Sequence, residues 1–217
     1  MTDPFEEAAT ELVAIGRRFD ARGWVLGTSG NFSAVIGHAP LRLAITRSGA
    51  HKGALTGADI LEIGEAGGVT RGAGAPSAET QLHLELVASR NAGAVMHTHS
   101  IWGTLLSDRC ADAGGVAIEG YEMLKGLAGV RTHEHREWIP VLGNDQDIPR
   151  LAQVVREALH TYPDCHGFLL RRHGLYTWGA TLQDAVRHTE ILEFLLESVG
   201  RARYGSATPE EAAPWRS

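Results

Sequence analysis

"GFLLRRHGLYTWG", Gly167 to Gly179, reads as a strand, a turn and a second strand. The run is rich in β-forming residues, and Gly174 and Gly179 mark turns or bulges. His173 stands at the end of the first apolar run, immediately before a glycine. "AVMHTHS", Ala94 to Ser100, reads as another strand and holds His97 and His99 two apart, a spacing that puts both on one face. As a pair they fit metal ligation and a hydrogen-bonded structural pair equally well. With His173 they make three imidazoles that leave a coordination position open, which is what a catalytic divalent metal requires. Zinc suits three nitrogens best, while ligand softness alone leaves iron, manganese and cobalt in play.

Around these strands the chain alternates helix and strand signals. Asp3 and Pro4 start a helix running to Arg22, closed by Gly23. "GTSGNFSAVIG" is a glycine-rich loop entering a strand, "LRLAITRSG" a second strand and "ADILEIG" a short third. Ser77 reads as the N-cap of a helix through "LHLELVAS", and a short helix spans Ile101 to about Ser107. "GVAIEGYEM" and "EWIPVLG" look strand-like, Asp147 caps a helix, and Thr181 caps a last one. Helices at both ends around a mostly β middle give one α/β layered domain, residues 1–204. The polar tail, 205–217, reads as disordered.

At 217 residues, 43% hydrophobic and 21% charged, the chain fits a globular domain with a sizeable core. Two cysteines are too few for a disulfide framework and point to a reducing cytoplasm. The formal charge of −6 argues against nucleic-acid binding. No apolar run approaches the roughly 20 residues that span a bilayer.

Three loops resemble anion cradles, with close backbone approach, hydroxyls and N–H donors. They are "GTSGN" (Gly27–Asn31), "TRSGAHKG" (Thr46–Gly53, with Lys52) and "GAPSAET", where Ser77 and Glu79 begin a helix. Together with a metal they favour a phosphorylated substrate, and none matches a nucleotide motif. Glu122, in "EGYEMLKGL", sits on a strand-to-turn segment and is either a general base or an ordinary exposed acid. "RTHEHREW" carries a rival pair, His133 and His135, in a charged surface turn or edge. His83 and His188 fall in helices among polar residues and read as solvated or capping, and His160 sits at a helix end.

"TSGN", "SGAHKG", "PSAET", "HTHS" and "RRHGLYTWG", in this order, resemble the class II aldolase/adducin-head family over nearly the whole chain. The resemblance implies a single-domain α/β/α layered fold around a mainly antiparallel sheet, and homotetramers with active sites at subunit interfaces. "YPDCHGFLLRRHGLYTWG", "EMLKG" and "PSAET" are similar to a branch of hydro-lyases that dehydrate a methylthio-substituted ketopentose phosphate in methionine salvage. On that resemblance His97, His99 and His173 hold one zinc ion per subunit, and Glu122 is the acid/base. Ser29, Gly30, Asn31, Ser48, Gly49 and Ser77 would hold the phosphate. Ala78 replaces a serine of the aldolases, with Lys52 as a compensating charge. Glu79 falls where the aldolases carry a carboxylate that ligates or flanks the metal. An aldolase or epimerase acting on another sugar phosphate is the alternative. A non-catalytic adducin-like scaffold is opposed by the three histidines.

Overall fold

Asp3 starts the chain's first helix as expected: its side chain accepts the Phe5 N–H, and Pro4 fills the first helical position. The structure, a computed structural model, describes residues 3–204, so the tail expected to be disordered lies outside the described residues. In chain order the main elements are α1 (Pro4–Ala21), β1 (Asn31–His38), β2 (Leu41–Thr46), β3 (Ile60–Gly64), β4 (Val69–Arg71) and α2 (Thr80–Arg90). They continue with β5 (Ala94–Thr98), α3 (Ile101–Arg109), β6 (Gly115–Ile118), β7 (Glu137–Leu142), α4 (Ile148–Thr161), β8 (Gly167–Leu170), β9 (Gly174–Gly179) and α5 (Leu182–Tyr204).

The strands form one nine-stranded sheet in the order β4-β3-β2-β1-β5-β9-β8-β7-β6. Neighbours run antiparallel except β7 and β8. Period-two alternation divides the buried side chains between the two faces. Leu43, Ile45, Val95, Tyr176 and Trp178 pack with Leu82 and Leu86 of α2 and with Leu151, Val155 and Leu159 of α4. Ala44, Ala94 and Met96 turn the other way, onto Phe5, Leu12 and Phe19 of α1. On that side α3 and α5 cover the far half of the sheet, with Leu106, Leu192, Leu195 and Leu196 against Ile139, Leu169 and Leu175. Helices therefore cover both faces, giving the α/β/α layering that the family resemblance implied.

Two local readings differ from the structure. The strand through "GVAIEGYEM" stops at Ile118, because Gly120 turns the chain at φ +80° and residues Glu122–Gly126 form a 3-10 helix. Ser77 does not cap α2 directly: Glu79 is the N-cap, and the Ser77 hydroxyl accepts the Glu79 N–H one turn earlier.

Candidate metal centre

β5 is the central strand, pairing with β1 on one side and β9 on the other. In register, His97 lies opposite Asn31 of β1 and Tyr176 of β9. Its buried ring stacks on Tyr176, centroids 3.9 Å apart. His97 Nδ1 lies 3.0 Å from the Leu175 carbonyl. A carbonyl only accepts, so Nδ1 carries the hydrogen and Nε2 of the neutral ring presents a lone pair. His99 follows the strand end, its backbone N–H donating to Trp24 O at 2.7 Å, and Ser100 then caps α3. His173 sits in the β8–β9 turn, where Arg172 takes a left-handed φ of +57°. Two glycines allow this approach. A Cβ on Gly174 would lie 2.0 Å from the Thr98 carbonyl oxygen, and one on Gly30 (φ +71°) 2.6 Å from that of His97.

These elements bring His97 Nε2 to 2.8 Å from His99 Nε2 and 3.3 Å from His173 Nε2. Facing nitrogen lone pairs at such distances repel, and either a hydrogen on His99 or His173 Nε2 or a bound cation relieves this, while burial opposes the charged imidazolium. Burial, then the neighbouring rings, holds His97 well below the usual imidazole range. Burial, with His173 and Lys52 nearby, lowers His99 to about 4. His173 is also lowered, first by burial, against the pull of Glu79. Glu79 Oε1 stands 3.4 Å from His173 Nε2 and 3.7 Å from His97 Nε2. Three converging imidazoles beside a carboxylate fit a divalent cation, and the residues present can hold one.

Glu79 is oriented through a chain of hydrogen bonds. The Asn31 amide donates to Glu79 Oε2 at 2.7 Å, so its oxygen is free to accept from His83 Nε2. His83 Nδ1 then accepts from the Ser33 hydroxyl at 2.7 Å. Burial holds His83 down to about 3, so it is the neutral ring that this order of donors requires. His83 is therefore neither solvated nor capping. Four positions after Glu79 on α2, it faces the same way, a spacing visible in the sequence. Other groups around the site were not anticipated. Burial, then Glu79, keeps the Tyr176 hydroxyl protonated, and the Thr98 hydroxyl donates to buried Glu193 of α5, whose carboxyl burial raises to about 7.

The three anion-cradle loops lie side by side. Lys52 Nζ donates to Thr28 O at 3.0 Å and Ala50 O at 2.7 Å, and Ser48 N–H to Ala75 O at 3.0 Å. Lys52, expected to offer its charge to a phosphate, is instead buried and turned onto backbone carbonyls. Burial lowers its ammonium to about 8. The Asn31 amide likewise faces Glu79 and His83 rather than the loop. Ser48 and Gly49 are exposed, Ser77 is half-buried, and the Ser29 hydroxyl is buried without a partner. Glu122 has no hydrogen bond or ion pair with His97, His99 or His173 among the described residues. It is exposed, pairs with Lys125 at 2.6 Å and has His133 at 3.8 Å. The rival pair separates: His133 faces Glu122, while His135 joins Glu137 and His166 in a second group.

The site's geometry can be set beside known proteins. The Class II Aldolase and Adducin N-terminal domain matches residues 10–199. The chain belongs to the class II aldolase and adducin family. A methylthioribulose-1-phosphate dehydratase of Methylococcus capsulatus is 48% identical over 194 residues, 89% of this chain and 93% of that protein. One from Sorangium cellulosum is 46% identical, over 89% of this chain and 91% of the relative. Among solved structures, YgbL from Escherichia coli, described as a putative aldolase/epimerase/decarboxylase, superposes with a TM-score of 0.77 at 25% identity, covering 95% of this chain and 96% of its own. An L-fuculose 1-phosphate aldolase has the same fold, with a TM-score of 0.76 at 21% identity over 94% and 92% of the two chains.

Proposed function

We propose that the chain is a zinc-dependent hydro-lyase of methionine salvage that converts 5-methylthioribulose 1-phosphate to 5-methylthio-2,3-dioxopentyl 1-phosphate. The observation that carries the reading is an intact trio of converging histidines in a chain 48% identical to a dehydratase of that substrate. One zinc ion per subunit, held by His97, His99 and His173, would supply Lewis acidity that makes the C–H beside the substrate ketone more acidic. Asn31 and His83 fix the carboxylate of Glu79 against that site. The Ser29 and Ser77 hydroxyls, with the open backbone at Ser48 and Gly49, receive the phosphate. Glu122 is the acid/base. Hydrogen bonding to Lys125 holds its carboxyl below the usual range, so it starts as a base. It takes the C3 proton, the C3–C4 double bond forms as the C4 hydroxyl departs, and the proton returned to that oxygen completes a water molecule. The enol left behind tautomerises to the diketone, so the net change is loss of one water.

Glu122 lies at the exposed edge of the fold, so the working site is completed where subunits meet, in a homotetramer. Large apolar side chains support this: Ile101 and Leu105 on α3, Met123 beside Glu122 and Phe194 on α5 are exposed on elements that pack together. Acidic net charge fits a small phosphorylated substrate rather than nucleic acid, and the place of action is the cytoplasm. Among the described residues, no helix is long and apolar enough to cross a membrane.

Mass spectrometry of the zinc-loaded protein with 5-methylthioribulose 1-phosphate is expected to reveal a product lighter by one water. Release of dihydroxyacetone phosphate or of a stereoisomer would instead establish an aldolase or epimerase, the reading favoured by Glu79 lying against the histidines. Glu122→Gln is expected to keep zinc and lose most turnover, and a fully active, zinc-loaded variant removes Glu122 from the mechanism.

A further inference from the structure

The segment after Glu122 is held by an unusual pair of bonds. Leu124 and Leu127 are buried and anchor it in the core. Gly126 packs so closely on α5 that a Cβ there would lie 2.3 Å from Ile191 Cδ1, and Arg187 donates to the Gly126 carbonyl at 2.9 Å. Ala128 comes next, exposed to solvent and lining a cavity of about 580 Å³, so its backbone does not rest on packed side chains. Two histidines hold it. His188 Nε2, on α5, accepts the Ala128 N–H at 3.1 Å. His166 Nε2, just before β8, donates to the Ala128 carbonyl at 2.8 Å.

The two rings must be in different protonation states to do this. His188 Nδ1 lies 2.7 Å from the Trp178 carbonyl and so carries hydrogen, which leaves Nε2 as the acceptor of a neutral ring. His166 has acceptors at both nitrogens, the Glu137 carboxylate 3.0 Å from Nδ1 and the Ala128 oxygen at Nε2, so it needs both hydrogens. Glu137 of β7 is buried and also accepts from His135 at 2.8 Å, while Asp164 adds negative charge near His166. The two rings meet edge to face at 5.3 Å, with Arg187 and Asp184 the charged neighbours of His188.

We propose that His166 and His188 are positioning residues for the acid/base segment: by holding both backbone polar groups of Ala128 they fix its far end, and with the Leu124 and Leu127 anchors they keep Glu122 in place. The inference rests on Glu122 being the acid/base. Neither histidine touches the metal cluster, so their effect falls on turnover rather than on zinc. His188→Ala removes the acceptor and leaves the charged His166–Glu137 pair in place. His188→Gln keeps an oxygen able to accept the Ala128 N–H.

The test combines steady-state kinetics, zinc content and hydrogen exchange on the zinc-loaded protein, with Glu122→Gln alongside. His188→Ala is expected to lower kcat by about ten- to a hundredfold, the scale of misplacing a catalytic group by an ångström or so. KM and zinc content stay near wild type, amide exchange quickens across residues 119–136 but not in β5, and His188→Gln recovers most of the turnover. Adding His188→Ala to Glu122→Gln causes no further loss. Unchanged exchange in 119–136, or loss of zinc together with turnover, overturns the proposal. If Glu122→Gln is inactive while His188→Ala turns over at the wild-type rate, the proposal falls and the role of Glu122 stands. If Glu122→Gln is itself fully active, the acid/base reading falls, and the proposal with it.

Discussion

Two groups of histidines stand in this molecule, and they differ in what closes them. In His135, Glu137 and His166 every short contact pairs a donor with an acceptor: both rings donate to one buried carboxylate, and His166 also donates to a carbonyl. Burial, the largest single effect, opposes charge on His166, but the hydrogen bond and charge of Glu137, the Ala128 carbonyl and Asp164 together offset it and leave the ring above the usual imidazole range. Glu137 falls below the usual carboxylate range: burial, the largest single effect, would raise it, but the hydrogen bonds and charge of His166 and the His135 bond together outweigh it. That group is complete with protons alone. In His97, His99 and His173 the facing atoms are all Nε2, one of them unable to donate, and burial keeps the rings neutral. That group has room for a cation, whose charge its own hydrogens do not replace. Proximity of metal-ligating residue types does not distinguish the two; the direction of the hydrogen bonds marks the Glu137 group as an ion pair.

The contrast can be broken first at the metal. His173→Ala is expected to reduce bound zinc to a trace and abolish turnover, whereas His135→Ala leaves zinc content unchanged, as metal analysis of both proteins will tell. A zinc-loaded, active His173→Ala variant would end the assignment. Next in size is Glu137→Gln, which leaves a buried imidazolium without its counter-charge. Breaking a buried pair in this way costs about 3–5 kcal/mol, to be read from denaturant unfolding with the metal site still titratable. Asn31→Ala frees the Glu79 carboxylate and should cost about ten- to a hundredfold in zinc affinity or activity, the usual effect of losing a group that orients a metal site. An unchanged zinc dissociation constant and rate would mean that Glu79 needs no such support.

The smallest effect is in pH. His166 has a raised pKa in the fold, so its contribution is complete below the ordinary 6.5 and fades as pH climbs through the raised value. Glu137 has a lowered one, so its contribution is complete above the ordinary 4.5 and fades as pH falls through the lowered value. The melting-temperature gap between wild type and His166→Gln should therefore be widest between these two ordinary values and narrow on either side. A gap that is flat with pH would show that the pair is not ionised.

Much of the architecture was legible because it depends on local pattern. The N-caps at Asp3 and Asp147, the strand-turn-strand around His173 and the apolar faces of the helices are all consequences of short-range chemistry. Strand β4, three residues with every side chain exposed, has Val69 as its one apolar residue and no alternation to read. Lys52 looked like a phosphate ligand because a lysine in a glycine loop is normally solvated, and the Thr28 and Ala50 carbonyls explain why it turns inward. His83 and His188 looked solvated because the residues beside them in sequence are polar, while the partners that bury them arrive from β1, β9 and the segment after Glu122.

The sequence by itself determined the kinds of elements and the family, and singled out three histidines as candidate metal ligands, since these rest on residue type and order. Only the tertiary structure decided which histidines face one another, which nitrogen of His97 carries hydrogen, and that Glu79 lies beside the three histidines while Glu122 pairs with Lys125. Those depend on register across β1, β5 and β9, where a one-residue slip would turn His97 to the opposite face of the sheet. Hydrogen-bond direction is likewise set by partners distant in sequence, and that direction makes an ion pair of Glu137 and His166.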